Sequence, residues 1–294
     1  MQNTKIKAVE IIPSRSTNIN NDFLYWIAGL VDGDGYFYMR KSVKKNKNTG
    51  KTYTYYYPNF NITTHVVERI NIRKIKAILG FGSIYNVSGL NACRYTVANK
   101  IEIRILIKNL NGKLRLSKRL NQFELVCNSM NIKIIGADID SFSSNAWLSG
   151  IFEADGCFYC NRKSFQISVN ITQKDPTLLY AIQKEFNGNV YHSIDKKSGM
   201  RFSRYSCSKA SDIIKWISYF DKYGFVGPKA SQLIQFKELL FLKSRKDFKN
   251  RALRSNFLKK IGNFSKNKNY ITIIKNAKLK NVSIETFLNL RGND

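Results

Sequence analysis

The chain carries one short pattern twice. Residues 27–35 read Ile-Ala-Gly-Leu-Val-Asp-Gly-Asp-Gly, and residues 148–156 read Leu-Ser-Gly-Ile-Phe-Glu-Ala-Asp-Gly. Each is an apolar helical stretch that ends in an acid followed by glycine, the acids being Asp34 and Asp155. Gly29 and Gly33 stand four residues apart, as do Gly150 and Ala154, so each helix presents small residues on one face. Small residues at that spacing let two helix backbones approach closely. Two such helices packed across a pseudo-twofold axis bring both carboxylates to the base of one interface. That placement is locally unfavourable, because a helix C-terminus disfavours an acid and two carboxylates repel. Asp32 and Glu153 add further negative charge. A hard divalent cation resolves the conflict, since Mg²⁺ binds one or two carboxylates plus phosphate oxygens.

The repetition extends beyond the motif. Ser88-Gly89 precedes Arg94-Tyr95 as Ser198-Gly199 precedes Arg204-Tyr205, an offset of 110 shared by Gln122 and Gln232. The motif acids are offset by 121, so the first half holds an insertion soon after its motif. Val43–Lys51, basic and containing Asn and Gly, reads as that insertion, a long hairpin loop. Each half reads α-β-β-α-β-β-α-α. The first helices start at Asp22 and Asn145 caps. Hairpins follow at Tyr36–Ser42 with Thr52–Thr63, and at Cys157–Asn161 with Phe165–Ile171. Helices then span Val67–Leu79 and Pro176–Phe186. Second hairpins pair Ser83–Val87 with Arg94–Ala98, and Asn189–Asp195 with Phe202–Cys207. Helices at Lys100–Leu110 and Ala210–Tyr223 precede fourth helices beginning near Ser117 and Pro228. The expected organisation is an N-terminal extension (1–20), a first repeat (21–130), a linker (131–144), a second repeat (145–243) and a basic C-terminal extension (244–294).

The net charge is +29, from 49 Lys+Arg against 20 Asp+Glu, and 43% of residues are hydrophobic. A globular chain with that imbalance along its whole length points to a nucleic-acid partner. No apolar run approaches the roughly 18 residues that span a bilayer, and Met1–Asn20 shows neither signal- nor transit-peptide character. Five irregularly spaced cysteines suggest reduced thiols. Cys157 and Cys160 lie three apart in a strand and face opposite ways, which disfavours a metal or redox pair. Heavy use of Lys, Asn and Ile hints at an A/T-rich, organellar gene. With His65 and His192 as the sole histidines, histidine-rich nuclease chemistry is disfavoured.

The doubled motif and the repeated helix–hairpin order resemble the LAGLIDADG homing endonucleases, specifically the single-chain form with two fused repeats. The likeness covers residues 21–243. It implies an α+β fold in which two curved antiparallel sheets form a DNA-binding saddle around paired motif helices. It implies cleavage of both DNA strands across the minor groove, leaving 3′ overhangs, by a monomer. Asp34 and Asp155 correspond to the metal-binding acids, supported by the Gly33 and Ala154 carbonyls. Mg²⁺ is the expected ion, with Mn²⁺ or Ca²⁺ able to occupy the same sites. Gln173 resembles the polar residue that orders active-site water, where the first half has Thr64. Lys229 resembles the basic residue that stabilises phosphate charge. In the first half Lys118 and Arg119 both remain candidates: repeat alignment favours Arg119 and chemistry favours Lys118.

Strand alternation selects the DNA-facing side chains. These are Tyr38, Arg40 and Ser42, then Tyr55, Tyr57, Asn59 and Asn61, in the first half. Tyr159, Asn161, Lys163, Gln166, Ser168 and Asn170 are the set in the second. Arg, Asn and Gln suit base readout in the major groove. Phe37, Phe60, Phe158, Ile167, Val169 and Ile171 fall on the opposite, helix-covered face. Lys44, Lys45, Lys47 and Lys51 read as phosphate contacts, as do Lys196, Lys197 and Arg201. Two other functions share these features: an intron-RNA splicing maturase of the same fold, and a DNA-binding protein without cleavage. The intact acid pair argues against the last.

Overall fold

A computed structural model describes residues 19–137 and 141–266, with side chains to Phe264. The extension Met1–Asn20 up to residue 18, part of the linker (138–140) and the tail from residue 267 therefore lie outside the described residues.

The first half runs α1 (Asn21–Asp34), β1 (Gly35–Lys45), β2 (Thr52–His65), α2 (Arg69–Leu79), β3 (Ser83–Asn86), β4 (Ala92–Val97), α3 (Lys100–Leu110) and α4 (Ser117–Ser129). The second repeats it as α5 (Trp147–Asp155), β5 (Gly156–Cys160), β6 (Ile167–Gln173), α6 (Thr177–Phe186), β7 (Asn189–Ile194), β8 (Arg201–Cys207), α7 (Ala210–Tyr223) and α8 (Lys229–Ser244). Helix α9 (Arg251–Lys266) follows. Each half builds a four-stranded antiparallel sheet of the same order, β1-β2-β4-β3 and β5-β6-β8-β7. The fold is α+β, as expected.

Several boundaries differ from the sequence reading for identifiable reasons. Helix α1 is capped by Asn20, whose side chain accepts from the Asp22 N–H at 2.8 Å, so Asp22 lies inside the first turn. Asn145 does accept from the Trp147 N–H at 3.0 Å. A short 3₁₀ turn at Val66–Glu68 precedes α2 and delays its start. The insertion is also less of a loop than expected. Strand β1 continues to Lys45 and β2 resumes at Thr52, so only Asn46–Lys51 turns. The Asn46 side chain closes that turn by accepting from the Asn48 and Thr49 N–H groups. Gly35 pairs with Ile62 whereas Gly156 pairs with Ile171, so the first hairpin is the longer by twelve residues.

The two halves meet at α1 and α5, which are buried almost all round. A methyl added to Gly29 would overlap the Trp147 carbonyl and lie 2.7 Å from the Ile151 nitrogen. A methyl on Gly150 would overlap the Trp26 carbonyl and lie 2.8 Å from the Leu30 nitrogen. The reciprocity shows a pseudo-twofold crossing in which backbone meets backbone, and it explains why glycine stands at both positions. One turn further, Gly33 faces the Ala154 methyl. The apolar strand residues Phe37, Phe60, Phe158, Ile167, Val169 and Ile171 are all buried, so each sheet's inner face agrees with the alternation.

Candidate active site

Asp34 and Asp155 each end their motif helix, and the helix pairing draws the two ends together. Burial, then the neighbouring Asp155 and Glu68 charges, push Asp34 up to about 7. Burial likewise raises Asp155, opposed first by Gln173, whose Nε2 donates to Asp155 Oδ2 at 2.7 Å. Arg119 and Lys229 oppose both shifts.

The penultimate acids have a different task. Asp32 accepts from the Arg115 N–H at 2.8 Å, the Leu116 N–H at 3.4 Å and the Trp147 Nε1–H at 2.8 Å. Glu153 accepts from the Val226 and Gly227 N–H groups at 2.8 and 2.7 Å. Both are buried, and burial pushes each up to about 7. They dock the chain segments that lead into α4 and α8. Those helices then deliver the basic residues. Arg119 Nη2 donates to the Asp32 and Gly33 carbonyls, each at 3.1 Å, and Nη1 donates to Gln122 Oε1 at 2.6 Å. Lys229 Nζ donates to the Gly156 carbonyl at 2.7 Å and lies 5.9 Å from the Phe152 ring centre. Both cations thus sit where unpaired helix-end carbonyls concentrate negative potential.

Arg119 is buried at this site, while Lys118 is exposed on the wall of an adjoining cleft of about 480 Å³. Gly33, Asp155, Gln173 and Arg201 also line it. Lys196 and Lys197 lie exposed in the β7–β8 turn, between Asp195 and Ser198, which line the same cleft. Thr64 does not reproduce Gln173: its hydroxyl donates to Glu68 Oε2 at 2.5 Å. Glu68, a third acid beside Asp34, escapes the sequence reading because its 3₁₀ turn belongs to no motif.

On the outer face of the first sheet, Tyr38, Arg40 and Ser42 stand opposite Asn59, Tyr57 and Tyr55, and Tyr36 opposite Asn61. Lys44 and Arg40 lie 5.7 and 5.9 Å from the Tyr55 and Tyr57 ring centres. Asn61 Nδ2 donates to Tyr38 Oη at 3.3 Å and its Oδ1 accepts from Thr96 at 2.6 Å. Five of the expected DNA-facing positions need correction. Asn59 is buried, its amide donating to the Tyr57 carbonyl at 3.1 Å. Ser168 is buried and accepts from Asn170 at 3.2 Å. Asn161 lies beyond β5, and its side chain holds the turn by accepting from the Lys163 and Ser164 N–H groups. Lys163 is therefore a turn residue as well, while Gln166 sits between the turn and β6; Tyr159 remains exposed on β5. The register also places Thr96 and Arg94 of β4, and Arg204 and Ser206 of β8, on the outer face. Extending the alternation count to the third strand of each sheet would have found them. Cys157 is exposed and Cys160 buried, consistent with opposite orientations.

These features define a duplicated nuclease-like fold with paired acids at its central helix crossing. The sequence profile of the LAGLIDADG endonuclease family matches residues 27–130 and 148–240, and the chain belongs to that family. The intron-encoded RNA maturase bI4 of Saccharomyces cerevisiae is 34% identical over 206 residues, covering 67% of this chain and 30% of the yeast protein. The intron-encoded DNA endonuclease ai2b of Dictyostelium discoideum is 27% identical, covering 70% of this chain and 74% of that protein. The chain thus spans less than a third of the yeast relative. Among solved structures, the I-LtrWI LAGLIDADG homing endonuclease bound to target DNA superposes with a TM-score of 0.66 at 19% identity, covering 83% of this chain and 98% of that one.

Proposed function

We propose that this chain is a site-specific, divalent-metal-dependent double-strand DNA endonuclease that acts as a monomer, with Asp34 and Asp155 as its metal-binding acids. The observation that carries the reading is the pairing of two helix-terminal carboxylates that burial and mutual repulsion leave poorly accommodated without a cation. The donor set fits Mg²⁺, with Mn²⁺ or Ca²⁺ as substitutes. Two carboxylates, the Ala154 carbonyl and the second lone pair of the Gly33 carbonyl, whose first accepts from Arg119, leave the remaining positions for phosphate oxygens and water. Bound there, the ion would activate water and stabilise the leaving oxygen. The protein's own groups do the rest. Gln173 fixes the Asp155 carboxylate through its amide. Lys229 and Arg119 neutralise charge that develops on the scissile phosphate, one from each half. Lys118 lies further out, placed to meet the DNA backbone. The two sheets' outer faces read the duplex, through Tyr, Arg and Asn side chains in the first half. One polypeptide already supplies both acids, so one copy suffices.

Selection of cleaved sites from a randomised duplex pool with Mg²⁺ tests the proposal. The expected result is a defined target, cut by the native chain and left intact, though bound, by D34N and D155N. Full cutting by either variant sinks the active-site assignment, and cutting in EDTA sinks the metal requirement. The yeast relative named as an RNA maturase favours a second reading, binding of intron RNA on the same scaffold. Tight intron-RNA binding without any cleaved duplex would select it. The intron-encoded relatives also support organellar encoding for this chain.

A further inference from the structure

The two repeats end differently at the tips of their first hairpins. The β1–β2 hairpin is long and carries Lys44, Lys45, Lys47 and Lys51 near its tip. The β5–β6 hairpin is short and turns at once through Arg162–Ser164. Helix α9, which has no counterpart in the first half, packs against that short turn. Phe165 meets Phe248 and Phe257 with ring centres 5.3 and 5.5 Å apart, and Phe257 and Ile261 are fully buried. Lys260 also pairs with Glu238 of α8 at 2.9 Å.

The docking creates an open cleft of about 590 Å³. Arg162 enters it from the hairpin turn, and Arg251, Arg254 and Lys259 from α9. Among the described residues no acidic side chain lines it. The three α9 cations are exposed, whereas Phe257 and Ile261 of the same helix are buried in its packing. Four like charges held in one concave surface repel one another, which is tolerated where a polyanion neutralises them. A linear array of phosphates fits, because Arg presents a fork of donors to phosphate oxygens and Lys a point charge.

We infer that this cleft is a phosphate-backbone site for duplex DNA flanking the target on the second repeat's side, so that α9 replaces the long hairpin that the first repeat uses. The inference rests on the endonuclease reading and extends it to the C-terminal extension. Duplex DNA is favoured over RNA because the cleft adjoins the tip of β5–β6, whose outer face carries Tyr159 and whose root lies at the two acids. The cleft positions the duplex without reading sequence.

The experiment compares the native chain with R251Q/R254Q/K259Q on a duplex selected as cleavable. Affinity is measured against salt, and phosphate contacts are mapped by ethylation interference. The triple variant should flatten the slope of log K against log salt by about 0.9 for each phosphate it no longer neutralises. It should lose protection on one flank of the target alone, while the single-turnover cutting rate at saturating enzyme holds. The charge-conserving R251K/R254K/K259R should retain slope and footprint, which separates charge from folding. An unchanged slope and footprint in the glutamine variant, with native cutting intact, overturns the cleft and leaves the endonuclease reading standing. A native chain that neither binds nor cuts any duplex overturns both. Loss of intron-RNA affinity alone, with DNA contacts unaltered, overturns the DNA assignment.

Discussion

The helix crossing makes a quantitative prediction at Gly33 and Ala154. A methyl on Gly33 would overlap the Ala154 methyl and lie 3.2 Å from Asp155 Oδ2. The crowding is therefore between two side chains, unlike that at Gly29 and Gly150, where backbone is struck. Overpacking of this kind costs about 1–3 kcal/mol, and the glycine-to-alanine change returns up to about 1 kcal/mol in helix propensity. G33A should thus destabilise by about 1–2 kcal/mol. A154G gives up propensity and should cost about 1 kcal/mol. If the two acted independently, the double variant would lose about 2–3 kcal/mol. Exchanging the residues instead moves one methyl across the pseudo-dyad and keeps the interface volume. G33A/A154G should therefore lie within about 1 kcal/mol of the native chain, a coupling of about 2 kcal/mol. Urea unfolding followed by tryptophan fluorescence is suited to this, because Trp26 and Trp147 stand at the crossing. Cutting should recover only in part, since the transposed methyl still presses on the Asp155 carboxylate. Additivity within about 0.5 kcal/mol would refute the methyl–methyl clash as the cause.

The two basic residues should separate by phenotype. K229M should lower single-turnover cutting by roughly 10²–10³ with affinity little changed, and destabilise by only about 1 kcal/mol through the single bond lost at the Gly156 carbonyl. R119M should lower cutting and also destabilise by about 1–3 kcal/mol, because it strips partners from the buried Asp32 carbonyl and Gln122; equal stability losses would refute that division. A pH dependence follows from the raised acids. Asp34 and Glu153 titrate near 7 when folded, against ordinary values of 3.8 and 4.5, so they hold protons more tightly folded than unfolded. Their contribution is present at low pH and is lost as pH rises through about 7. In EDTA the chain should melt lower at pH 8 than at pH 5.5, Mg²⁺ should restore the pH 8 melt, and D34N should shrink the difference. A flat or rising profile in EDTA would contradict the burial argument.

Much of the fold is legible in the sequence because duplication lets each half check the other. The 110-residue offset aligns strands and helices that neither half defines alone, and the glycine spacing names the interface. What escapes has physical causes. Alternation gives a strand residue's face but not its depth, so Asn59 and Ser168 fall on the expected side yet are covered. Asn161 leaves the strand for turn chemistry, because its side chain satisfies two turn N–H groups. The lysine-rich end of β1 has no apolar alternation and reads as a loop, although backbone pairing with β2 continues through it. Helix phase alone does not separate Lys118 from Arg119. The 110-residue offset favours Arg119 while chemistry favours Lys118, and the burial of Arg119 with its hydrogen bonds to the Asp32 and Gly33 carbonyls shows that it is the one pointing inward. Glu68 and the Trp147–Asp32 bond depend on pairings across the chain that no local signal announces.

The repeats are symmetric in task and asymmetric in atoms. Asp32 and Glu153 both anchor the segment that precedes a helix, and that helix returns a cation to the end of the same motif helix. In each half the proposed metal-binding acid and the proposed charge-neutralising base are thereby fixed to one rigid element, the acid two residues beyond the anchor. A change at either anchor should consequently displace base and acid together. The surroundings then diverge. Asp155 is held by a neutral amide donor, Gln173, whereas Asp34 has Glu68 nearby with Thr64 turned toward that acid. An extra negative charge beside Asp34 strengthens cation attraction but raises the cost of bringing a phosphate close. The half-sites should therefore differ in how metal concentration limits them. Cutting of one strand should saturate at lower Mg²⁺ than the other, and E68Q should bring the two titrations together. Equal metal dependence of the two strands in the native chain would show that Glu68 is screened from the reacting phosphate.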